Sequence, residues 1–136
     1  MMIPDEWLYE YSVIRYVPRV DREEFLNIGL IMMNKRKKWL KGKVLLNEPR
    51  LRALYPNLDY ASLKNQSRLF EREDVPDKDL PVEEKYRWLS AVKSACLQVS
   101  PSHPGIATGM GTGEEKGADW IMTKEFNRLF SQLVEM

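Results

Sequence analysis

The sequence predicts a single α+β domain, residues 1 to 136, in which a small, mainly antiparallel sheet is covered by helices. Three observations lead to this prediction. The chain has 136 residues, which is the usual size of one domain. Up to Leu46 it is rich in aromatic and β-branched residues, in part with the period of two that is typical of strands. Beyond Leu46, apolar residues recur at helical spacing.

The sheet is expected to use residues 8 to 46 and 95 to 100. Its first strand is aromatic and β-branched, and its second strand is apolar on both faces, which suits a central strand. A polar turn separates the second strand from the third, so these two should form an antiparallel hairpin. The predicted strands span residues 7 to 18, 27 to 33, 39 to 46 and 95 to 99.

Capping residues and apolar stripes predict four helices. Asn47 and Asp59 are suited to cap two short helices, because their side chains can accept a backbone N–H of the first turn. Pro81 suits the first turn of a third helix. The last helix has the most regular apolar stripe, which consists of Met122, Phe126, Leu129, Phe130 and Leu133.

A glycine-rich segment precedes that last helix. Five of the seven glycines lie between His103 and Ala118, so residues 106 to 117 are predicted to form a flexible loop. The spacing of these glycines does not match a dinucleotide fingerprint, because position 114 is Glu, and no Gly-Lys-Ser/Thr of a P-loop follows. We therefore expect no bound cofactor.

Charge and cysteine content exclude several classes of protein. The 21 basic and 20 acidic side chains nearly cancel, unlike those of a nucleic-acid coat protein. Cys96 and His103 are single, so neither an internal disulfide nor a Cys/His zinc site is expected. The longest apolar run is too short to span a membrane, and the acidic N-terminal region does not resemble a signal peptide. We expect a cytoplasmic protein without a metal ion.

The predicted hairpin turn is strongly basic. Residues 35 to 43 carry six cations and no carboxylate. The candidate binding residues are Lys35, Arg36, Lys37, Lys38, Trp39 and Lys41. The cations could contact nucleic-acid phosphates while Trp39 stacks on a base. A lysine-rich tip also keeps a hairpin soluble and blocks edge pairing, and we favour this second interpretation.

A second polar cluster surrounds the first turn. Arg15 shares its strand face with apolar residues, so we expect it to be partly buried and paired with Glu23 or Glu24. The functional interpretation is an arginine that binds an anion beside a glutamate that transfers a proton. We favour the structural interpretation, an ion pair whose loss would cost about 3 to 5 kcal/mol, with the Asn27 side chain satisfying a turn.

His103 follows the predicted fourth strand and could act as a general base for Ser100 or Ser102. No acidic residue is positioned to orient it, and a G-x-S-x-G elbow is absent. A hydrogen bond from His103 to loop backbone is the favoured interpretation. The catalytic candidates are therefore Arg15, Glu23, Glu24 and His103.

Two segments carry a resemblance to a known family. They read Tyr11-Ser-Val-Ile-Arg15-Tyr-Val-Pro18 and Arg22-Glu-Glu-Phe25-Leu-Asn27-Ile-Gly29. They resemble a bacterial family catalogued as domain of unknown function 3037, and the likeness extends over most of the chain. That family has no established activity. Some members occur beside serine/threonine kinases of the HipA type, so the resemblance implies a partner protein in a small bacterial operon.

From these observations we expect an interaction module that binds a protein partner and performs no catalysis of its own. One alternative is an enzyme that acts on a phosphate-containing or nucleic-acid substrate through Arg15, a glutamate and His103. The other is nucleic-acid binding through the basic hairpin. A pocket that joins Arg15 to His103 would favour the enzyme, whereas an apolar surface patch would favour the interaction module.

Overall fold

The structure is a computed structural model that describes residues 5–91, 94, 96–107 and 117–135. In this part of the chain the strands are β1 (Leu8–Arg19), β2 (Glu24–Asn34), β3 (Trp39–Val44), β4 (Leu97–Val99) and β5 (His103–Ile106). The α-helices are α1 (Glu48–Leu54), α2 (Tyr60–Ser67), α3 (Val82–Ser90) and α4 (Ala118–Phe130). The 3-10 turns Asp5–Trp7, Val20–Arg22 and Arg68–Glu71 and the π turn Ser131–Glu135 complete these elements. No described helix combines the length and the apolar composition that crossing a bilayer requires.

The sheet is antiparallel throughout, with the order β3-β2-β1-β4, and β5 also pairs with β1. This confirms the predicted α+β fold and the β2–β3 hairpin. Asn47 and Asp59 cap α1 and α2 through Oδ1, accepting the backbone N–H of Arg50 and of Ser62 respectively. Side-chain capping therefore begins both short helices, as their sequences indicate.

The strand β5 lies where the glycine-rich loop was expected to begin. Ile106 belongs to β5, and Ala107 is buried, with its N–H donating to the carbonyl of Trp7. The remaining predicted loop positions, 108 to 116, lie outside the described residues. The sequence does not predict β5, because this strand contains Pro104 and Gly105, and both residue types are rare in strands. An edge strand tolerates the proline, and the glycine is required because a Cβ there would lie 2.4 Å from Cζ of Tyr9.

Helices cover both faces of the sheet, so it has two apolar cores. One face of the sheet packs against α4, and its central contacts include Val13, Leu30 and Phe126. The other face packs against α1, α2 and α3, with Ile14, Ile31 and related side chains between them. A continuous apolar β2 follows from this arrangement, because both of its faces are buried.

One hydrogen-bonded network fastens α4 to the sheet. The Tyr9 hydroxyl donates to Glu125 Oε2 at 2.6 Å, and Arg128 donates to both oxygens of the same carboxylate at 2.8 and 3.0 Å. Only 6% of Glu125 is exposed. Burial alone would raise the pKa of Glu125, but the hydrogen bonds from Arg128 and Tyr9 outweigh it and hold that pKa below 4.5. Burial and the bond to Glu125 raise the pKa of the Tyr9 hydroxyl well above its usual value.

The strand β2 carries a β-bulge that reverses which face its side chains occupy. Ile14 pairs with Gly29, whereas the next residue, Arg15, pairs with Asn27, so Ile28 is an extra residue in β2. After the bulge, the even-numbered Leu30 faces α4. Before the bulge, the odd-numbered Asn27 faces α4, because the extra residue shifts the alternation of side chains by one position. Gly29 fits the crowded site, since a Cβ there would lie 2.6 Å from the carbonyl oxygen of Lys43.

We expect Gly42→Ala to lower the free energy of unfolding by about 2 to 3 kcal/mol, because the added Cβ would lie 1.9 Å from the carbonyl oxygen of Phe70. The matched control is Gly117→Ala, where no atom lies within 4 Å of an added Cβ. Urea denaturation measures both variants. Equal stabilities for the two variants would contradict the close contact between β3 and the Arg68–Glu71 turn.

We expect Tyr9→Phe to cost about 1.5 to 3 kcal/mol at pH 7, because it removes a hydrogen bond to a buried carboxylate. The lowered pKa of Glu125 means that the stabilisation is present above pH 4.5 and is lost as the pH falls through the folded value. The difference between wild type and Tyr9→Phe should therefore narrow in acid. Urea titrations over this pH range check it, with Tyr11→Phe as control because no described side chain is hydrogen-bonded to the Tyr11 hydroxyl.

Candidate functional site

Arg15 lies in the middle of β1, opposite Asn27 of β2 and Gln98 of β4. It is partly buried, as the sequence predicts, but the predicted carboxylate partner is wrong. Its guanidinium carbon lies 4.3 Å from the centre of the Phe25 ring, and its buried Nε has no hydrogen-bond partner in the described chain. Glu24 binds Arg22 instead, and Glu23 is exposed at a turn with a φ of 54°. The ring of Phe25 thus takes the place expected for a glutamate.

Asn27 presents the second unsatisfied group at the same position in the sheet. Its Nδ2 donates to the carbonyl of Leu133 at 3.0 Å, which fixes the orientation of the amide. Its Oδ1 is buried and has no partner among the described residues. A cavity of about 40 Å³ lies beside Asn27, between Leu45, Arg50 and Glu135. Asn27 was expected to satisfy a turn, but it tethers the C-terminal π turn to the sheet.

Two exposed apolar side chains flank these groups. Phe25 is 45% exposed and Leu45 is 43% exposed. Phe25 lies two residues from Asn27 along β2, and Leu45 lines the same cavity as Asn27. We call Arg15, Phe25, Asn27 and Leu45 the Arg15 patch. Arg15, Phe25 and Asn27 lie on the α4 face of the sheet, near the π turn that follows α4, and Leu45 lies at the cavity that α1 and Asn27 also line.

The Arg15 patch combines a positive charge, a donor, an acceptor and apolar surface. A buried polar atom without a partner costs about 1 to 3 kcal/mol, so Arg15 Nε and Asn27 Oδ1 both oppose folding. Bound water or a partner molecule would remove that cost. Sequence reasoning found Arg15 and Asn27 but missed Phe25 and Leu45. The exposure of Phe25 and Leu45 follows from the bulge and from the end of α4, which have no signature in the local sequence.

The catalytic candidates are not brought together. His103 lies in β5 opposite Tyr11, and its exposed ring is 5.3 Å from the Tyr11 ring. Arg15 is four residues farther along β1, which is about 13 Å at the rise of a strand. The expected hydrogen bond from His103 to loop backbone is also not found among the described residues.

The basic hairpin is partly engaged within the fold. Trp39 is buried, and its Nε1 donates to Asp119 at 3.0 Å, so the expectation that it stacks on a base is wrong. Lys37 binds Glu6 and lies 4.7 Å from the Trp7 ring centre, and Lys41 lies 5.3 Å from that of Phe126. Lys35, Arg36 and Lys38 are exposed.

A groove of about 530 Å³ lies beside the hairpin tip. It is lined by Lys35, Arg36, Leu8, Pro104 and Glu10. Glu10 ends a chain of hydroxyls that was not predicted: Ser12 lies 2.8 Å from the Tyr86 hydroxyl, Tyr86 lies 2.7 Å from Ser102, and Ser102 donates to Glu10 at 3.0 Å. Burial raises the pKa of Tyr86. Each of these hydroxyls has a hydrogen-bond partner, so this row of hydrogen bonds fastens α3 to the sheet.

The chain matches the model of a family described as protein of unknown function DUF3037, over residues 11–134. It belongs to this family. The matched residues include the whole Arg15 patch and the bulge of this DUF3037 protein. No curated protein and no solved structure matches the chain. Among the described residues of this DUF3037 chain, no group of three or more His, Cys, Asp or Glu could hold a metal ion.

We expect Arg15→Met to leave the free energy of unfolding unchanged or to raise it by about 1 kcal/mol, because it removes an unsatisfied buried donor and keeps an apolar contact with Phe25. The matched control is Arg52→Met, which breaks bonds to Glu48 and to the carbonyls of Pro56 and Leu58. That control should lose about 1 to 3 kcal/mol. Urea denaturation measures the free energy of unfolding of both variants. A large decrease for Arg15→Met would support the ion-pair interpretation of Arg15 instead.

Proposed function

We propose that this DUF3037 protein is an interaction module that binds a protein partner through the Arg15 patch. One observation carries the proposal. The two buried side-chain atoms without a partner in the described chain, Arg15 Nε and Asn27 Oδ1, belong to residues that pair directly across β1 and β2, beside exposed Phe25 and Leu45. Unsatisfied polar atoms next to exposed apolar surface are typical of a surface that another molecule completes.

A protein suits this surface better than a small molecule. The adjacent cavity of about 40 Å³ is small and has room for only a few water molecules, whereas Phe25 and Leu45 are open to solvent. A polypeptide offers apolar side chains that can pack on these two residues. Burying both apolar side chains would contribute about 1 to 2 kcal/mol each before the costs of association.

The two alternative functions have less support. An enzyme would need Arg15, a glutamate and His103 near one substrate, and these side chains lie in separate parts of the sheet. Nucleic-acid binding would depend on the hairpin, where Trp39 is in the core and Lys37 is paired with Glu6. Neither alternative explains the unsatisfied atoms of the Arg15 patch.

The family resemblance suggests one class of partner. Some members of the family occur beside HipA-type serine/threonine kinases, so a kinase of this type encoded near this gene is the first partner to test. This hypothesis assumes a cytoplasmic protein in a bacterium.

We expect the tagged wild-type protein to capture a partner from its native cells, and Phe25→Ser and Leu45→Ser each to weaken that complex about tenfold or more. Isothermal titration of the identified partner measures the dissociation constants. Leu80→Ser is the control, because Leu80 is also exposed but lies just before α3. Equal affinities of Phe25→Ser and wild type, or the absence of any captured partner, would contradict the proposal.

A further inference from the structure

We infer that the segment bound at the Arg15 patch carries a carboxylate, which Arg15 binds, next to an apolar side chain that packs on Phe25 and Leu45. This inference rests on the proposed function and specifies the chemistry of the partner. Its basis is the contrast between Arg15, which is partly buried, and the other described arginines, which are either ion-paired or exposed.

Most described arginines have a carboxylate of their own. The ion-paired ones are Arg19, Arg22, Arg52, Arg72, Arg87 and Arg128. Arg15 is partly buried, which makes its charge costlier than that of an exposed arginine, and yet no described carboxylate binds it. Among the described residues, the face of the Phe25 ring contacts its charge, at 4.3 Å. A half-buried guanidinium in this state has a large gain available from an anionic partner.

The contact with Phe25 also limits the positions that the Arg15 guanidinium can adopt. The guanidinium carbon of Arg15 lies over the Phe25 ring, and an arginine can donate two N–H groups to one planar carboxylate. Phe25 thus restricts the rotation of the guanidinium and reduces the entropy lost on binding.

The surrounding charges are compatible with an acidic segment. Arg50 lines the cavity beside Asn27, and Glu135 lines the same cavity. Glu24, next to Phe25, is occupied by Arg22. Arg15 and Arg50 thus supply two positive charges at or beside the patch, and Arg15 itself binds no described carboxylate. The exposed side chains of Phe25 and Leu45 favour an apolar neighbour for the anion, so we commit to an Asp or Glu in a protein segment.

A phage-displayed library of random 12-residue peptides tests the inference without knowledge of the natural partner. Wild-type protein and three variants, Arg15→Gln, Arg15→Lys and Phe25→Ser, are used as bait, with Arg68→Gln as an exposed control on the turn after α2. We expect wild type and Arg68→Gln to select peptides with Asp or Glu beside Leu, Ile, Phe or Trp. Arg15→Gln should keep the apolar preference and lose the acidic one, and Arg15→Lys should keep part of both.

One selected peptide and its Asp→Asn or Glu→Gln version then complete a double-mutant cycle. On wild type, loss of the carboxylate should weaken binding by about 30-fold or more, and on Arg15→Gln by less than about threefold. Apolar peptides without acidic enrichment that depend on Phe25 would overturn the carboxylate inference and leave the proposed function standing. The absence of any peptide that depends on Phe25 would overturn both.

Discussion

The β-bulge at Ile28 is the constraint on which both the packing and the candidate site depend. A regular β2 would point Leu26, Ile28, Leu30 and Met32 to a single face. With one extra residue, Leu30 and Met32 face α4 while Ile28 joins the opposite core, so each core receives apolar side chains from the same strand. The shift also brings Asn27 and Phe25 to the α4 face, beside Arg15. Gly29 makes the bulge compatible with the nearby backbone of Lys43.

The α4 face is divided into a satisfied part and an unsatisfied part. Near the start of β1, Tyr9, Glu125 and Arg128 form a network in which the buried carboxylate has three hydrogen bonds. Near the end of α4, Arg15 Nε and Asn27 Oδ1 are buried without a described partner. Both parts contain partly or fully buried polar groups, so burial alone does not explain the difference. The first part stabilises the fold, and the second part retains polar groups that a binding partner can use.

Hydrogen bonds on both sides of the Arg15 patch hold α4 and the π turn in place against the sheet. Asn27 Nδ2 anchors the π turn through Leu133, and Tyr9 anchors the middle of α4 through Glu125. The donors and acceptors of the patch are therefore held on strands and on an anchored turn. Rigid elements of this kind lose little conformational entropy on binding, which favours recognition by a small surface.

The sequence by itself determined the fold class, the hairpin, the capped helices and the apolar stripe of α4, because these depend on local periodicity and on side chains that bond to nearby backbone. It also predicted that Arg15 is partly buried. It was wrong about the carboxylate partner of Arg15, it did not predict β5, and it did not predict that Trp39 is buried. Only the tertiary structure decided that Phe25 covers Arg15, that Asp119 binds Trp39 from a distant helix, and that Pro104 and Gly105 lie on a sheet edge. Each of these outcomes depends on contacts between residues far apart in the chain, and local sequence patterns carry no information about such contacts.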